Sequence, residues 1–220
     1  MSLPAIGTLP MIRKTTPLRQ RQHAATAEAM LDAAERAMIR HGYERATMQQ
    51  IARQTGCAAG TFYLYFRNKQ VLFEAILLRH VQAMLQAGRS EMAQADGPLE
   101  KVRRSVAAML GYWRGRDDSL RLVFTAWPVR SSEMHQRLTE MGWKEHLVFR
   151  RTLVGHLRDA QKRGLARRDL PAEALMDFID AVAFSLVEAF SFSPRKVAFE
   201  EQMRAIWGLI TGGLLHRGAP

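Results

Sequence analysis

Several groups of side chains in this chain have types and spacings that could do chemistry. His135, His146 and His156 offer imidazole ligands, but they follow one another at eleven and ten residues. A helical metal pair needs the i, i+4 spacing that puts two imidazoles on one face, so pocket or surface roles fit these histidines better. Asp177 and Asp180, at i and i+3, form a carboxylate pair; without a Glu-x-x-His partner they do not indicate a di-iron site. Cys57 is the single cysteine of the chain, which excludes an intramolecular disulfide and a multi-cysteine zinc site. A helix N-terminus would lower its thiol pKa and make it a redox sensor, while its plainer role is a small core side chain. The sequence holds neither Gly-x-Ser-x-Gly nor a glycine-rich phosphate loop, so acyl transfer and ATP- or NAD-dependent reactions are not indicated. No catalytic residue, metal or cofactor is expected.

The clearest chemistry lies between Thr47 and Phe73, and it is surface recognition. Thr47 followed by Gln50 has the spacing of a capping box, in which each side chain accepts from the other residue's backbone N–H. Ile51 and Ala52 then form a small apolar face, and Gln49, Gln50 and Arg53 stay polar on the side that can meet phosphates. Gly56 ends this helix, because glycine takes the left-handed C-cap conformation without steric cost. From Ala58 to Phe66 a second short helix places Phe62 and Phe66 at i and i+4 as core anchors, and leaves Ala59, Gly60, Thr61, Tyr63 and Leu64 on other faces. Small residues at its leading end suit close approach to a groove. Asn68 caps a longer helix with Lys69 in its first turn and Val71, Leu72, Ile76 and Leu77 as its stripe. Upstream, Thr26 to His41 reads as a bracing helix bearing Met30, Leu31, Ala34, Ala37 and Met38 and closed by Gly42. Three helices around a tight turn make a helix-turn-helix.

The run Gly42-Tyr43, Thr47, Ile51-Ala52, Gly56, Gly60-Thr61-Phe62-Tyr63, Tyr65-Phe66, Asn68-Lys69 and Leu72 resembles the N-terminal domain of the TetR/AcrR family of bacterial transcriptional regulators, over about residues 22 to 80. The resemblance implies a DNA-contacting set of Thr47, Gln49, Ala58, Ala59, Gly60, Thr61, Tyr63, Leu64, Tyr65 and Lys69. Within it Thr47, Tyr65 and Lys69 would meet phosphates. Ala58 stands where the family often has Ser, and Ala59 where it often has a basic or polar residue, so base reading would fall on Thr61, Tyr63 and Leu64.

Charge agrees with a polyanionic partner. The net charge is +11 with a pI near 10.6, and residues 1 to 90 hold twelve Lys/Arg against five Asp/Glu while the remainder holds twenty against sixteen. Met1 to Pro17 carries Pro4, Gly7, Pro10 and Pro17 and lacks the order of a secretory signal. Residues 1–21 therefore read as a flexible arm of a cytoplasmic protein, whose Arg13, Lys14, Arg19 and Arg21 either lie along DNA or act as a solubilising tail. No run approaches a membrane span.

Beyond residue 88 no strand-like alternation occurs, and Gly97-Pro98, Gly115, Pro128, Gly164 and Pro194 divide the chain into helices near 68–87, 98–114, 117–127, 132–163 with a break near Gly142, 172–191 and 195–214. The expected fold is all-α, about nine helices, with a helix-turn-helix domain at 22–68 and an effector-binding and dimerisation domain at 69–220. Leu175, Phe178, Ile179, Val182, Ala183, Leu186, Val187 and Phe190 make a face wider than one core stripe, and Ile206, Trp207, Leu209, Ile210, Leu214 and Leu215 do likewise. A homodimer through Phe178, Val182, Leu186, Phe190, Ile206, Leu209 and Ile210 would cover it. Met and aromatic residues of the middle segments are ordinary core material. The family resemblance adds a small-molecule effector of unstated identity among them, with Trp113, Phe124, Trp127, His135, Trp143, Phe149 and Phe178 as walls and Arg116, Arg121 and Arg130 nearby. Two functions stand: a ligand-released repressor on a palindromic operator of double-stranded DNA, and a helical DNA- or partner-binding protein without effector control.

Overall fold

The computed structural model describes residues 17–56, 58–126 and 144–192 together with Glu201, Arg204, Trp207 and Gly208, the side chains of 17–20 and 186–192 excepted. These residues form eight α-helices and no strand: α1 Pro17–His41, α2 Met48–Gln54, α3 Ala59–Tyr65, α4 Lys69–Ala93, α5 Pro98–Gly111, α6 Asp117–Ala126, α7 Lys144–Lys162 and α8 Ala172–Phe192. The fold is all-α, and among the described residues no helix is long and apolar enough to cross a membrane.

The chain divides into two compact units, residues 1–80 with 125–141 and residues 81–124 with 142–220. The border between these units falls inside α4 at His80–Val81. Asn68 does cap α4, its Oδ1 accepting from the Val71 N–H at 2.8 Å, but a cap marks where a helix starts and carries no information about where a domain ends.

In the first unit α1 begins at Pro17, two and a half turns before Thr26, because proline fits the first position of a helix. Arg19 and Arg21 thus belong to α1 and not to an arm. The turns they occupy lack an apolar stripe, which is why periodicity did not reveal them. Met30, Ala34 and Met38 of α1 are buried in this unit, as are Ile51, Phe62, Phe66, Leu72, Phe73 and Ile76. The capping box at α2 forms in both directions, Gln50 N–H to Thr47 Oγ1 at 3.2 Å and Thr47 N–H to Gln50 Oε1 at 3.0 Å. Gly56 follows α2 at φ +68°, a conformation that a Cβ would strain.

In the second unit α5 packs on α7 and α7 on α8. Leu85, Val102, Val106, Phe149, Leu153, Leu157, Leu175 and Ile179 fill its core, with Met109, Val182 and Trp207 packed against it. Packing is tight at Gly88, whose added Cβ would lie 2.9 Å from Met109 Cγ and 3.2 Å from Phe149 Cε1. The expected 132–163 helix begins, within the described residues, as α7 at Lys144. α4 runs on to Ala93 and α5 stops at Gly111, a few residues from the expected ends.

Candidate nucleic-acid interface

α3 is built to turn a small, chemically varied face outward. Phe62 and Phe66 are buried and hold it to the core, their ring centroids 5.8 Å apart. Ala58, Ala59, Gly60 and Thr61 are all exposed at the leading end, and Ala58 provides no side-chain cap. The first N–H groups of α3 are therefore left to solvent or to an anion. Tyr63 and Leu64 project as well, Leu64 being 76% exposed.

Around α3 the other expected contact residues fall on three elements. Thr47 and Gln49 are exposed at the start of α2. Tyr65 is half-buried, its ring stacked on that of His23 from α1. Lys69, at the start of α4, donates from Nζ to the carbonyls of Tyr43 and Glu44 at 2.9 Å each and sits 4.6 Å over the Tyr43 ring. Two of its three protons thus brace the segment ahead of α2. Arg53 and Arg67 are exposed on the same unit, and the sequence reading gave Arg67 no role.

A second feature of this unit lay outside the sequence reading. Arg79 of α4 reaches three carboxylates of α1, through Nη1 to Glu28 at 3.2 Å and Asp32 at 2.6 Å, and through Nη2 to Glu35 at 2.5 Å. Glu35 also meets His80 Nε2 at 2.9 Å. Burial pulls the Arg79 pKa down, and hydrogen bonds to Asp32 and Glu28 with the fields of Glu35 and Asp32 outweigh it, leaving the pKa above its ordinary value. No local signal marks this cluster.

The rival constellations resolve differently. Asp177 and Asp180 receive Arg150, whose Nε donates to Asp180 at 2.8 Å and whose Nη2 donates to Asp177. They serve as a guanidinium clamp between α7 and α8. Among the described residues no group of three His, Cys, Asp or Glu is placed to hold a metal ion. Cys57 and His135 lie outside those residues. Burial lowers the His146 pKa, with Arg150 adding to the effect and Asp180 opposing it; burial and Lys101 lower that of His156, against Asp159. A histidine whose pKa is depressed in the fold takes up its proton more readily when unfolded, so its contribution is present above about pH 6.5 and is lost as pH falls below it. The urea midpoint should therefore drop between pH 7 and pH 5.5, and His146→Gln should flatten that drop. An unchanged profile would remove His146 from the account.

Of the expected effector walls, Trp113 is buried, in edge contact with Tyr112 at 5.2 Å. Phe149 lies in the packed core beside Gly88, with Arg89 Cζ 5.5 Å over its ring. Phe124 instead meets Phe184 of α8 at 5.6 Å, a pair the sequence did not suggest. Arg116 stacks over Tyr112 at 4.5 Å and donates to its carbonyl. Arg121 is exposed. Phe178, given both an effector and a dimer role, is 43% exposed on α8. Val182 packs partly against the core. Leu186 and Phe190 lie on α8 with side chains outside the described set, as do Trp127, Arg130, Trp143, Ile206, Leu209 and Ile210 entirely.

Residues 30–76 match the family model described as bacterial regulatory proteins, tetR family. The HTH-type transcriptional repressor BepR of Brucella suis is 28% identical over 72% of this chain and 77% of its own length. The FadR regulator of Bacillus subtilis, solved in complex with stearoyl-CoA, superimposes with a TM-score of 0.71 at 21% identity, over 86% of this chain and 99% of that one. A regulator of Saccharomonospora viridis solved with choline also gives 0.71, at 19% identity over 88% and 100%. Both structures share the fold, and the relatives matched in sequence are transcription regulators. Because the family match runs from α1 through α3 into α4, over the same helices that turn Tyr63 and Leu64 outward, this region of the chain is similar to the bacterial regulatory proteins of the tetR family.

Proposed function

We propose that the protein is a cytoplasmic, ligand-released repressor that binds a palindromic operator as a homodimer. The observation that carries this reading is α3, with Phe62 and Phe66 anchored and its small leading end, Thr61, Tyr63 and Leu64 turned outward. Ala59 and Gly60 let the backbone come close to a major groove, where the three larger side chains meet base edges. Thr47, Gln49, Tyr65 and the remaining Lys69 proton contact phosphates around it. A single helix this short reads too few bases for a specific affinity, so two half-sites related by a twofold axis complete the site.

The effector is a small molecule held in the second unit among Trp113, Phe124 and their neighbours. The two solved neighbours carry stearoyl-CoA and choline, ligands with little in common, so the shared fold assigns no chemical class. An effector that favours the released state by about 3 kcal/mol weakens operator binding by roughly a hundredfold. A second reading, DNA binding without effector control, draws on the position of Phe149 inside the packed core.

Selection of bound duplexes from a random pool tests the proposal. The expected motif is an imperfect palindrome with half-sites about one helical turn apart. Tyr63→Ala should then cost about 1–3 kcal/mol on that motif and little on mixed-sequence DNA. Recovery of no palindrome, or equal loss on both DNAs, removes the base-reading role of α3.

A further inference from the structure

We propose that His23 is a positioning residue for DNA binding, its imidazole holding the Tyr65 ring in the attitude from which the tyrosine hydroxyl meets the DNA backbone. This rests on the phosphate role given to Tyr65 above. The two rings lie with centroids 4.3 Å apart and planes at 24°, a stacked pair joining α1 to the last residue of α3. On α1, His23 continues the stripe of Ala27, Met30 and Ala34, all buried, at i, i+4, i+7 and i+11. The buried register of α1 thus delivers the imidazole to a fixed place at the edge of the core. The other ring beside Tyr65 is that of Phe66, 6.3 Å away at 37°, and Phe66 is itself buried.

Tyr65 therefore has an anchored ring on two sides. An aromatic side chain at the end of a seven-residue helix has two torsions to settle before its hydroxyl can donate to a phosphate. Stacking settles them before DNA arrives, and binding no longer carries that ordering cost. The first turns of α1, which hold Arg21 exposed beside His23, become part of the surface that faces DNA.

Full-length His23→Ala, His23→Phe, Tyr65→Phe and the double variant His23→Ala/Tyr65→Phe should be titrated against a mixed-sequence duplex at fixed salt, since phosphate contacts do not depend on base sequence. His23→Ala should bind roughly three- to tenfold more weakly. His23→Phe, which keeps a stacked ring without a polar atom, should restore binding to within about twofold of the parent, a rescue that loss of an imidazole N–H contact would not allow. In the Tyr65→Phe background, His23→Ala should cost nothing further, because the hydroxyl it positions is gone. Parental affinity in His23→Ala overturns the proposal, and so does equal loss in His23→Ala and His23→Phe, which would make the imidazole a direct contact. Parental affinity in Tyr65→Phe overturns the phosphate reading of Tyr65 and is recognisable as such. Should His23→Ala lower the melting midpoint, the comparison of His23→Gln with His23→Phe carries the same test with the polar volume retained.

Discussion

Replacing Arg79 with alanine is expected to lower folding stability by about 2–4 kcal/mol. The limbs of its cluster are unequal. Glu28 and Asp32 are more than half exposed, so water screens their share to less than about 1 kcal/mol each. Glu35 is different, with its side chain 11% exposed between Arg79 and a buried His80. Removing Arg79 leaves that carboxylate desolvated near two others with His80 still beside it, and a buried charge that loses its guanidinium costs more than the pair contributed. Glu35→Gln should cost less, because a neutral amide keeps a hydrogen-bonding group there without the charge. Asp32→Asn should stay below about 1 kcal/mol. Urea unfolding at constant slope measures the series. An Arg79→Ala protein within about 0.5 kcal/mol of the parent, or an Asp32→Asn loss as large, would show that the burial of Glu35 does not govern this cluster.

What the sequence made legible is local. The capping box of Thr47 and Gln50, the left-handed Gly56, the Asn68 cap and the Phe62–Phe66 anchor all act within four residues, and each is present. Because the α2–α3 motif is contiguous, the outward set on α3 could be named from spacing together with resemblance. Pairings between helices were not legible. Arg79 lies 44, 47 and 51 residues from its three carboxylates, and Arg150 lies 27 and 30 from Asp177 and Asp180. Nothing in a carboxylate pair at i and i+3 says whether a metal, water or a distant guanidinium will fill it. The first turns of α1 are silent in the sequence for a related reason. Their residues carry no apolar stripe, and the helix follows from Pro17 and from continuity with the packed turns after Ala27. The proposed effector and dimer sets draw side chains from several helices, so composition supplied candidates for them but not their grouping.

Phe184→Glu is expected to convert the proposed dimer to monomer at micromolar concentration. α8 buries Leu175, Met176 and Ile179 on one side, yet carries Phe178 and Phe184, 43% and 48% exposed, on the other with exposed Ala181 between them. Single exposed hydrophobics are ordinary on a protein surface. Two phenylalanines flanking an alanine along one face are what a second helix can pack against. In a twofold dimer the same patch serves both subunits, so each substitution acts twice. At about 2 kcal/mol per central aromatic, two copies weaken association by roughly a thousandfold, before repulsion between the two glutamates is counted. Phe184 also touches Phe124 of its own chain, so a change there reaches the monomer as well. Phe178→Glu, for which no such ring contact is seen among the described residues, should therefore give the same monomer with a smaller change in melting midpoint. Leu165→Glu is the control, since Leu165 is 46% exposed but lies between α7 and α8, away from this face. Operator binding by the two phenylalanine variants should fall by at least a hundredfold at limiting protein concentration, because each half-site must then be filled independently. Sedimentation that finds both variants still dimeric would place the interface elsewhere and take the twofold operator geometry with it.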